Sequence, residues 1–517
     1  TATANDRVVN DIKQQLGSSI LIQRGTLVRK SLKLQNITMP TQSMRLAWIA
    51  TTTLSLHGSG IIYVMTKRDS ELVTKWLQKN GISACAYHAD LSATEKTELE
   101  QKLIANDSKV LVATIALGMG FDKPDLAFVI HYQRPASVVH YYQQVGRAGR
   151  AVDEAYGILL HGDEDERISE YFIRNAFPTR EIISNILNAL KESEEGLSTT
   201  ELQKAINVRY GKLEQALRYL SLENPAPVEK LDRKWQATKT ADFYHVNEAK
   251  IEQITATRYA EQQQMRDYMS HTECLMSFLQ NALDDTDIQP CGKCANCKPI
   301  NALPTTANPL LVEQAQVFLD RSHQLIKQRK FWPSGFTFNH HDFKGKIKPE
   351  LQFAEGLALC TWQDAGYGKL VYEGKELENY FSDVLVEACV KMYQAWHLDP
   401  APKWVTYIPS KRNPELVANF AKRLAEKLNL RFGQVLEKVK DNESQQNMLN
   451  SFQQVRNIDG AFEVIIPTRE EDNQYAPCLL IDDIVDSGWT ITLTSALLRQ
   501  AGVSTVYPLV LANYTQS

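Results

Sequence analysis

Two arginines three residues apart, Arg147 and Arg150, lie in the stretch "YYQQVGRAGR", with Gln143 four residues before the first. A planar guanidinium offers a fork of donors that fits phosphate oxygens. Two of them on one glycine-bearing turn suit the terminal phosphate of a nucleotide. A lone basic turn of this kind is more often a solvated surface. Upstream, "VATIALGMGFDKPD" adds Thr114 at a strand end, Gly118 and Gly120 where backbone can approach a ligand closely, and Asp122 as an acceptor for a ribose hydroxyl. The loop that usually cradles a nucleotide's phosphates, G-x-x-x-x-G-K-[ST], occurs nowhere in the chain.

A second chemistry is written in thiols. Cys274, Cys291, Cys294 and Cys297 fall in "ECLMSFLQNALDDTDIQPCGKCANC". Two overlapping C-x-x-C steps bring three thiolates together, and the fourth comes from a preceding helix. Four thiolates form a closed tetrahedral zinc site that leaves no position for a catalytic water. His271 lies nearby and reads as a surface residue. A third constellation is "CLLIDDIVDSGWTITLTSALLRQAG", where an apolar strand ends in Asp482 and Asp483. Asp486, Ser487, Gly488, Trp489 and Thr490 then lead into a helix. Carboxylates can accept from ribose hydroxyls, while turn amides and a helix N-terminus face a phosphate. The bland alternative is a strand-to-helix turn with two capping acids. "FNHHDF" offers His340, His341 and Asp342, but adjacent histidines on a strand point apart.

The elements that must position these groups alternate. From about residue 40, apolar strands ("SGIIYVM", "SACAYHA", "KVLVATI", "LAFVIHY") alternate with amphipathic helices, one ended by Gly81 and one begun by a Ser92–Glu95 capping box. Such alternation predicts a parallel sheet with helices on both faces and functional loops at the strands' carboxyl ends. Before it, Asn5 or Asp6 caps a helix and "SILIQRG" reads as a strand. Residues 179–244 read as three helices and a hairpin, with Ser198 capping the second helix, the pattern of a winged helix. Residues 245–300 are helical up to the cysteines, 301–312 form a proline-rich linker, 313–375 are irregular and β-containing, and 376–517 return to α/β alternation. The expected fold class is thus α/β multidomain.

At 517 residues the chain is too long for one core. Its 43% hydrophobic and 23% charged content is that of globular protein, and its net charge of −4 confines any nucleic-acid surface to local patches. Eight cysteines, half of them clustered, suit a reducing cytoplasm and a metal site better than a disulfide scaffold. No apolar run reaches transmembrane length and no signal peptide opens the sequence. No membrane partner is therefore expected.

Residues 1–150 resemble the later half of a RecQ-family superfamily 2 DNA helicase motor. "TATAN" is similar to the third helicase motif, "SGIIYVMTKRDSELVTKWLQKNGISACAYHADL" to the fourth, "VLVATIALGMGFDKPDLAFVIHY" to the fifth and "YYQQVGRAGR" to the sixth, in the family's order. The resemblance implies that ATP and Mg²⁺ bind between two RecA-like domains. It makes 1–35 the tail of the first, whose body lies upstream in cis or on another chain, and 36–178 the second. Gln143, Arg147 and Arg150 then act on the transferring phosphoryl group, and Gly120 and Asp122 contact nucleotide. Thr114 meets single-stranded DNA phosphates, and Arg209, Lys212 and Arg218 meet duplex phosphates. The cysteine spacing resembles the RecQ zinc module, although here the winged-helix candidate precedes the cysteines instead of following them. The "IDDIVDSGWT" stretch, with "YIPSKRNPELVANFAKRLAEKL" upstream, resembles the ComF-like type I phosphoribosyltransferases. That implies a site for phosphoribosyl pyrophosphate with Mg²⁺, in which the backbone of Ser410, Lys411 and Arg412 forms the pyrophosphate loop. Lys438 and Arg456 are weaker phosphate candidates.

Three functions follow as expectations. The first is the C-terminal portion of an ATP-dependent 3′–5′ DNA helicase, a DNA-repair activity, that binds single strands and duplex junctions. The second is a DNA-binding scaffold without ATPase of its own. The third is a phosphoribosyltransferase acting on a base-like acceptor.

Overall fold

Strands apolar on both faces must be covered on both, and "GIIY", "VLVA" and "FVIH" are buried at every position. The computed structural model describes residues 6–17, 21–23, 25–118, 120–320, 323–362, 366–465 and 475–514. They divide into two units, 1–176 with 247–319 and 177–246 with 320–516.

The first unit is built on a six-stranded parallel sheet: β1 (Leu32–Thr38), β2 (Gly60–Tyr63), β3 (Ala84–Tyr87), β4 (Val110–Ala113), β5 (Phe128–His131) and β6 (Ala155–His161), ordered β1-β6-β5-β2-β4-β3. Helices α1 (Asp6–Leu16), α2 (Gln42–Ser55), α3 (Lys67–Lys79), α4 (Ala93–Ile104), α5 (Val138–Val145) and α6 (Asp165–Arg174) accompany it. The expected α4 capping box forms, Ser92 and Glu95 each bonding the other's backbone N–H. Gly81 follows α3 at φ +76°, a conformation that favours glycine.

Sequence and structure differ at the start of this unit. "TATAN" lies outside the described residues, and Leu21–Gln23, from the expected "SILIQRG" strand, form no strand. The first strand is instead "LKLQNIT", which places 32–35 in this sheet and not in the tail of a preceding domain. Gln35 and Asn36 break its apolar run. Their side-chain N–H groups donate to the carbonyls of Leu303 (2.9 Å) and Tyr268 (2.7 Å). The expected linker 301–312 is likewise attached: the Trp48 indole donates to the Pro304 carbonyl at 2.6 Å. After α10 (Glu248–Ser270) and α11 (Leu275–Ala282), α12 (Pro309–Asp320) closes one face of the sheet with Ala315 and Phe318.

In the second unit, α7 (Arg180–Lys191), α8 (Thr199–Ala205) and α9 (Tyr210–Ser221) enclose an apolar core with the hairpin β7 (Val228–Leu231) and β8 (Lys234–Ala237). Leu197 adds a bridge to Trp235, and Ser198 caps α8 in a second capping box. The C-terminal sheet runs β12-β11-β15-β16-β10-β9, with β9 (Gln324–Ile326), β10 (Gly356–Thr361), β11 (Trp404–Tyr407), β12 (Arg431–Phe432), β15 (Cys478–Val485) and β16 (Val506–Asn513). All its neighbours are parallel except β9 on β10. A separate pair, β13 (Leu436–Lys438) and β14 (Phe462–Val464), is antiparallel. Helices α13 (Tyr367–Glu373), α14 (Asp383–Ala395), α15 (Pro414–Leu428), α16 (Ser451–Ile458) and α17 (Trp489–Gln500) complete the unit. Segment 313–375, expected to stand apart, supplies β9 and β10 to this sheet. Its Trp332, Phe336, Phe338 and Phe343 join the same core as Trp489. Three- and six-residue strands among non-periodic aromatics leave little pattern to read.

One buried histidine ties stability of the first unit to pH. His131 is 1% exposed, its Nε2 is 2.7 Å from Gln144 Oε1, and burial lowers its pKa to about 4. The unfolded chain, with an ordinary histidine near 6.5, takes up this proton first. The contribution is therefore full above about pH 6.5 and is lost as pH falls toward 4, by up to about 3 kcal/mol. Urea denaturation across this window should show His131→Gln flattening the acid-side decline; an unchanged slope would mean that His131 is not the titrating group.

Candidate functional site

In the first unit the β4–β5 loop and the turn after α5 meet. Gly149 N donates to Leu126 O at 3.0 Å and Ala151 N to Pro124 O at 2.8 Å. The turn that carries both arginines therefore lies beside the chain entering β5. Arg147 is 8% exposed, and its guanidinium donates to the carbonyls of Phe121 (2.8 Å), Gly118 (2.8 Å) and Leu117 (3.5 Å). Expected at a phosphate, it instead holds the glycine-bearing loop. Arg150 is half exposed and pairs with Asp122 at 2.7 Å, so this carboxylate faces an arginine where a ribose was expected. Gly120 and Gln143 lie on the same two segments. Thr114 is buried, and its hydroxyl accepts from Ala116 N at 3.3 Å, which closes the end of β4. A third arginine carries no motif signal: Arg29 donates to Ala148 O at 3.4 Å, and burial together with the nearby Arg150 charge lowers its pKa.

The four cysteines come together as expected, their Sγ atoms all within 4.8 Å of one another. Zn–S bonds of about 2.3 Å in a tetrahedron separate sulfurs by about 3.8 Å, so the cluster needs only a small contraction. Backbone amides point at the sulfurs: Cys291 N and Ser277 N at Cys274 Sγ (3.2 and 3.4 Å), Cys294 N at Cys291 Sγ (3.3 Å). Such donors favour thiolates, and the donor set fits zinc. The module is fastened to β1 through Ala295 N and Leu34 O, 2.9 Å apart.

In the second unit, β11 and β15 are adjacent and parallel, so their carboxyl-end loops share one edge. A cavity of about 340 Å³ opens there, lined by Ser410, Lys411, Arg412, Asp482, Asp483 and the whole Asp486–Thr490 turn. Lys438 lines it too. Arg456 on α16 does not, and the histidines are used elsewhere, His340 near Asp459 (3.5 Å) and His341 stacked on Phe343 (5.4 Å). Burial and the neighbouring Asp483 raise the Asp482 pKa well above the usual carboxylate range. Lys375, unmarked in the sequence, supplies the counter-charge at 2.6 Å from Asp483 Oδ2.

Arg329 fixes the turn. Its Nε and Nη2 donate to the Ser487 carbonyl at 3.0 and 2.6 Å, and its guanidinium carbon lies 4.9 Å from the centre of the Trp489 ring. In a trans peptide C=O and N–H point oppositely, so the Gly488 N–H faces away from Arg329. Gly488, at φ +77°, then starts α17 in the left-handed conformation. Trp489 is 2% exposed and stacks on Trp332 at 5.9 Å. Its side chain is core, and its backbone N–H remains as the donor at the helix start.

The two motif arginines separate in a denaturation experiment. Arg147→Ala strands buried carbonyls and should cost about 1–3 kcal/mol in urea unfolding. Arg150→Ala removes an exposed pair and should cost less than about 1 kcal/mol. Equal costs would contradict the division.

Residues 45–152 match the family described as "Helicase conserved C-terminal domain", and residues 418–516 match "Phosphoribosyl transferase domain". The chain is similar to the "Putative ATP-dependent DNA helicase Q1" of Caenorhabditis briggsae, 33% identical over 211 residues, covering 40% of this chain and 33% of that protein. It is 50% identical over 107 residues to the "ATP-dependent DNA helicase Q1" of Pongo abelii, covering 21% of this chain and 16% of that protein. Against the "ATP-dependent DNA helicase RecQ" of a Synechocystis species it is 28% identical over 252 residues, covering 47% of this chain and 49% of that protein. The chain thus spans between about a sixth and a half of these relatives. The chain thus carries a helicase conserved C-terminal domain similar to that of RecQ-like helicases and, toward its C-terminal end, a phosphoribosyl transferase domain.

Proposed function

We propose that this chain is the C-terminal part of an ATP-dependent DNA helicase that moves 3′ to 5′ on single strands. The observation that carries this reading is the division of labour between the motif arginines. Arg147 is spent on the loop, while Arg150 can exchange the exposed Asp122 for a phosphate at little cost. Arg150 is then the phosphate-facing arginine, with Arg29 adding charge beside it. Such an arginine contributes roughly 10³–10⁵ in rate in related phosphoryl-transfer enzymes. ATP and Mg²⁺ need an opposing domain, in cis or on another chain, so the chain alone does not turn over ATP. The three helices and hairpin of 177–246 are read as a winged helix whose exposed Arg218, with Lys212, meets duplex phosphates. The cysteine cluster is read as a structural zinc site: a closed set of four thiolates leaves the metal no substrate position.

The second reading, phosphoribosyl transfer to a base-like acceptor, is favoured by the cavity. The Gly488 N–H and the start of α17 would receive a phosphate. Asp482 and Asp483 would take ribose hydroxyls or Mg²⁺ once Lys375 yields its place.

The purified chain, supplied with ATP, Mg²⁺ and single-stranded DNA, should show no turnover above background, and sustained turnover would refute the missing-domain reading. Elemental analysis should find one zinc per chain, lost in Cys294→Ser; a metal content unchanged by that substitution would remove the zinc assignment. Calorimetry should detect Mg²⁺-dependent binding of phosphoribosyl pyrophosphate that Asp482→Asn with Asp483→Asn abolishes. No binding by the wild-type chain would leave the domain without this activity.

A further inference from the structure

The segment 443–454 has two faces. One lines the phosphoribosyl cavity, through Glu443, Ser444, Gln445 and Gln454. The other clasps the turn between α8 and α9. Asn450, 6% exposed, donates its side-chain amide to the carbonyls of Gln203 (3.1 Å), Ile206 (3.0 Å) and Val208 (3.3 Å). Its Oδ1 also caps α16 by accepting from Gln453 N at 3.0 Å. Gln453 Nε2 reaches Lys204 O at 3.1 Å. Asn207 bonds in both directions, donating to Asn447 O and accepting from Leu449 N, each at 2.7 Å.

These bonds satisfy the carbonyls left open at the C-terminal end of α8, where water would otherwise be needed. The wall is also tied within itself: Gln454 Nε2 donates to Met448 O at 2.8 Å, and Gln445 Nε2 to Gln454 O at 2.9 Å. A displacement on the cavity face therefore has a bonded route to the helix turn. The last carbonyl in the clasp, that of Val208, immediately precedes Arg209 at the start of α9.

We propose that the 443–454 wall couples the cavity to α9, so that phosphoribosyl pyrophosphate with Mg²⁺ and duplex DNA weaken each other's binding. This rests on the reading of α9 as a duplex-binding helix and of the cavity as a sugar-phosphate site. The sign follows from the charges. Both ligands are polyanions, and each, once bound, adds negative charge to the unit that holds the other. Linkage makes the effect reciprocal, the same factor in both directions.

The test uses the full chain. Calorimetry gives the Kd of phosphoribosyl pyrophosphate with Mg²⁺, without and with saturating duplex. Fluorescence anisotropy of a labelled duplex gives the reverse. Each ligand should weaken the other roughly five-fold or more, the lower end of common coupling strengths. Asn450→Ala, or Gln453→Ala if the first variant unfolds earlier on heating, should bring the factor toward one. Should both ligands bind with affinities indifferent to each other, the coupling is wrong and the functional reading survives. Should either ligand fail to bind, the functional reading falls and the coupling with it.

Discussion

An arginine that satisfies backbone carbonyls, buried at Arg147 and half-buried at Arg329, sets the orientation of two glycine-bearing loops in this chain. In the first unit Arg147 gathers the carbonyls of Leu117, Gly118 and Phe121. In the second Arg329 places two donors on Ser487 O. The physics is the same in both. A buried guanidinium must find acceptors, a glycine-bearing loop has carbonyls to offer, and a peptide plane with its C=O drawn inward turns its N–H outward. Neither arginine needs to touch a ligand. Each sets the direction in which other groups can.

The acidic pair in the cavity follows the complementary rule. Asp482 is partly buried beside a second carboxylate, an arrangement that low polarity penalises unless a cation is near. Lys375 provides it, from a short π-helical turn, Gly374–Glu378, that brings its ammonium over Asp483. A lysine beside the two carboxylates makes the site self-compensating. It also sets a threshold, because a ligand must replace that ion pair.

Much of the chemistry was legible in the sequence because it is local. The C-x-x-C steps, the "IDDIVDSGWT" turn and the Ser92 and Ser198 capping boxes each need only a few neighbouring residues to specify their geometry, and each forms. What escaped depends on distant segments. Arg29, Arg329 and Lys375 lie in stretches without motif or periodicity, and only the tertiary fold brings them to the loops they serve. β1 escaped because Gln35 and Asn36 interrupt its apolar run and donate to carbonyls more than two hundred residues away. Arg147 stood out in the sequence by its motif. Its acceptors were not, since a guanidinium fits a carbonyl as readily as a phosphate.

The pinned turn is best tested at Arg329, which bonds the Ser487 carbonyl at the cavity's edge. Arg329→Lys keeps the charge but loses the two-pronged contact to Ser487. Inorganic pyrophosphate with Mg²⁺, titrated by calorimetry, should bind roughly ten-fold more weakly to this variant, about 1.4 kcal/mol, while its thermal midpoint moves little. Wild-type affinity in the folded variant would contradict the claim that carbonyl pinning orients the site.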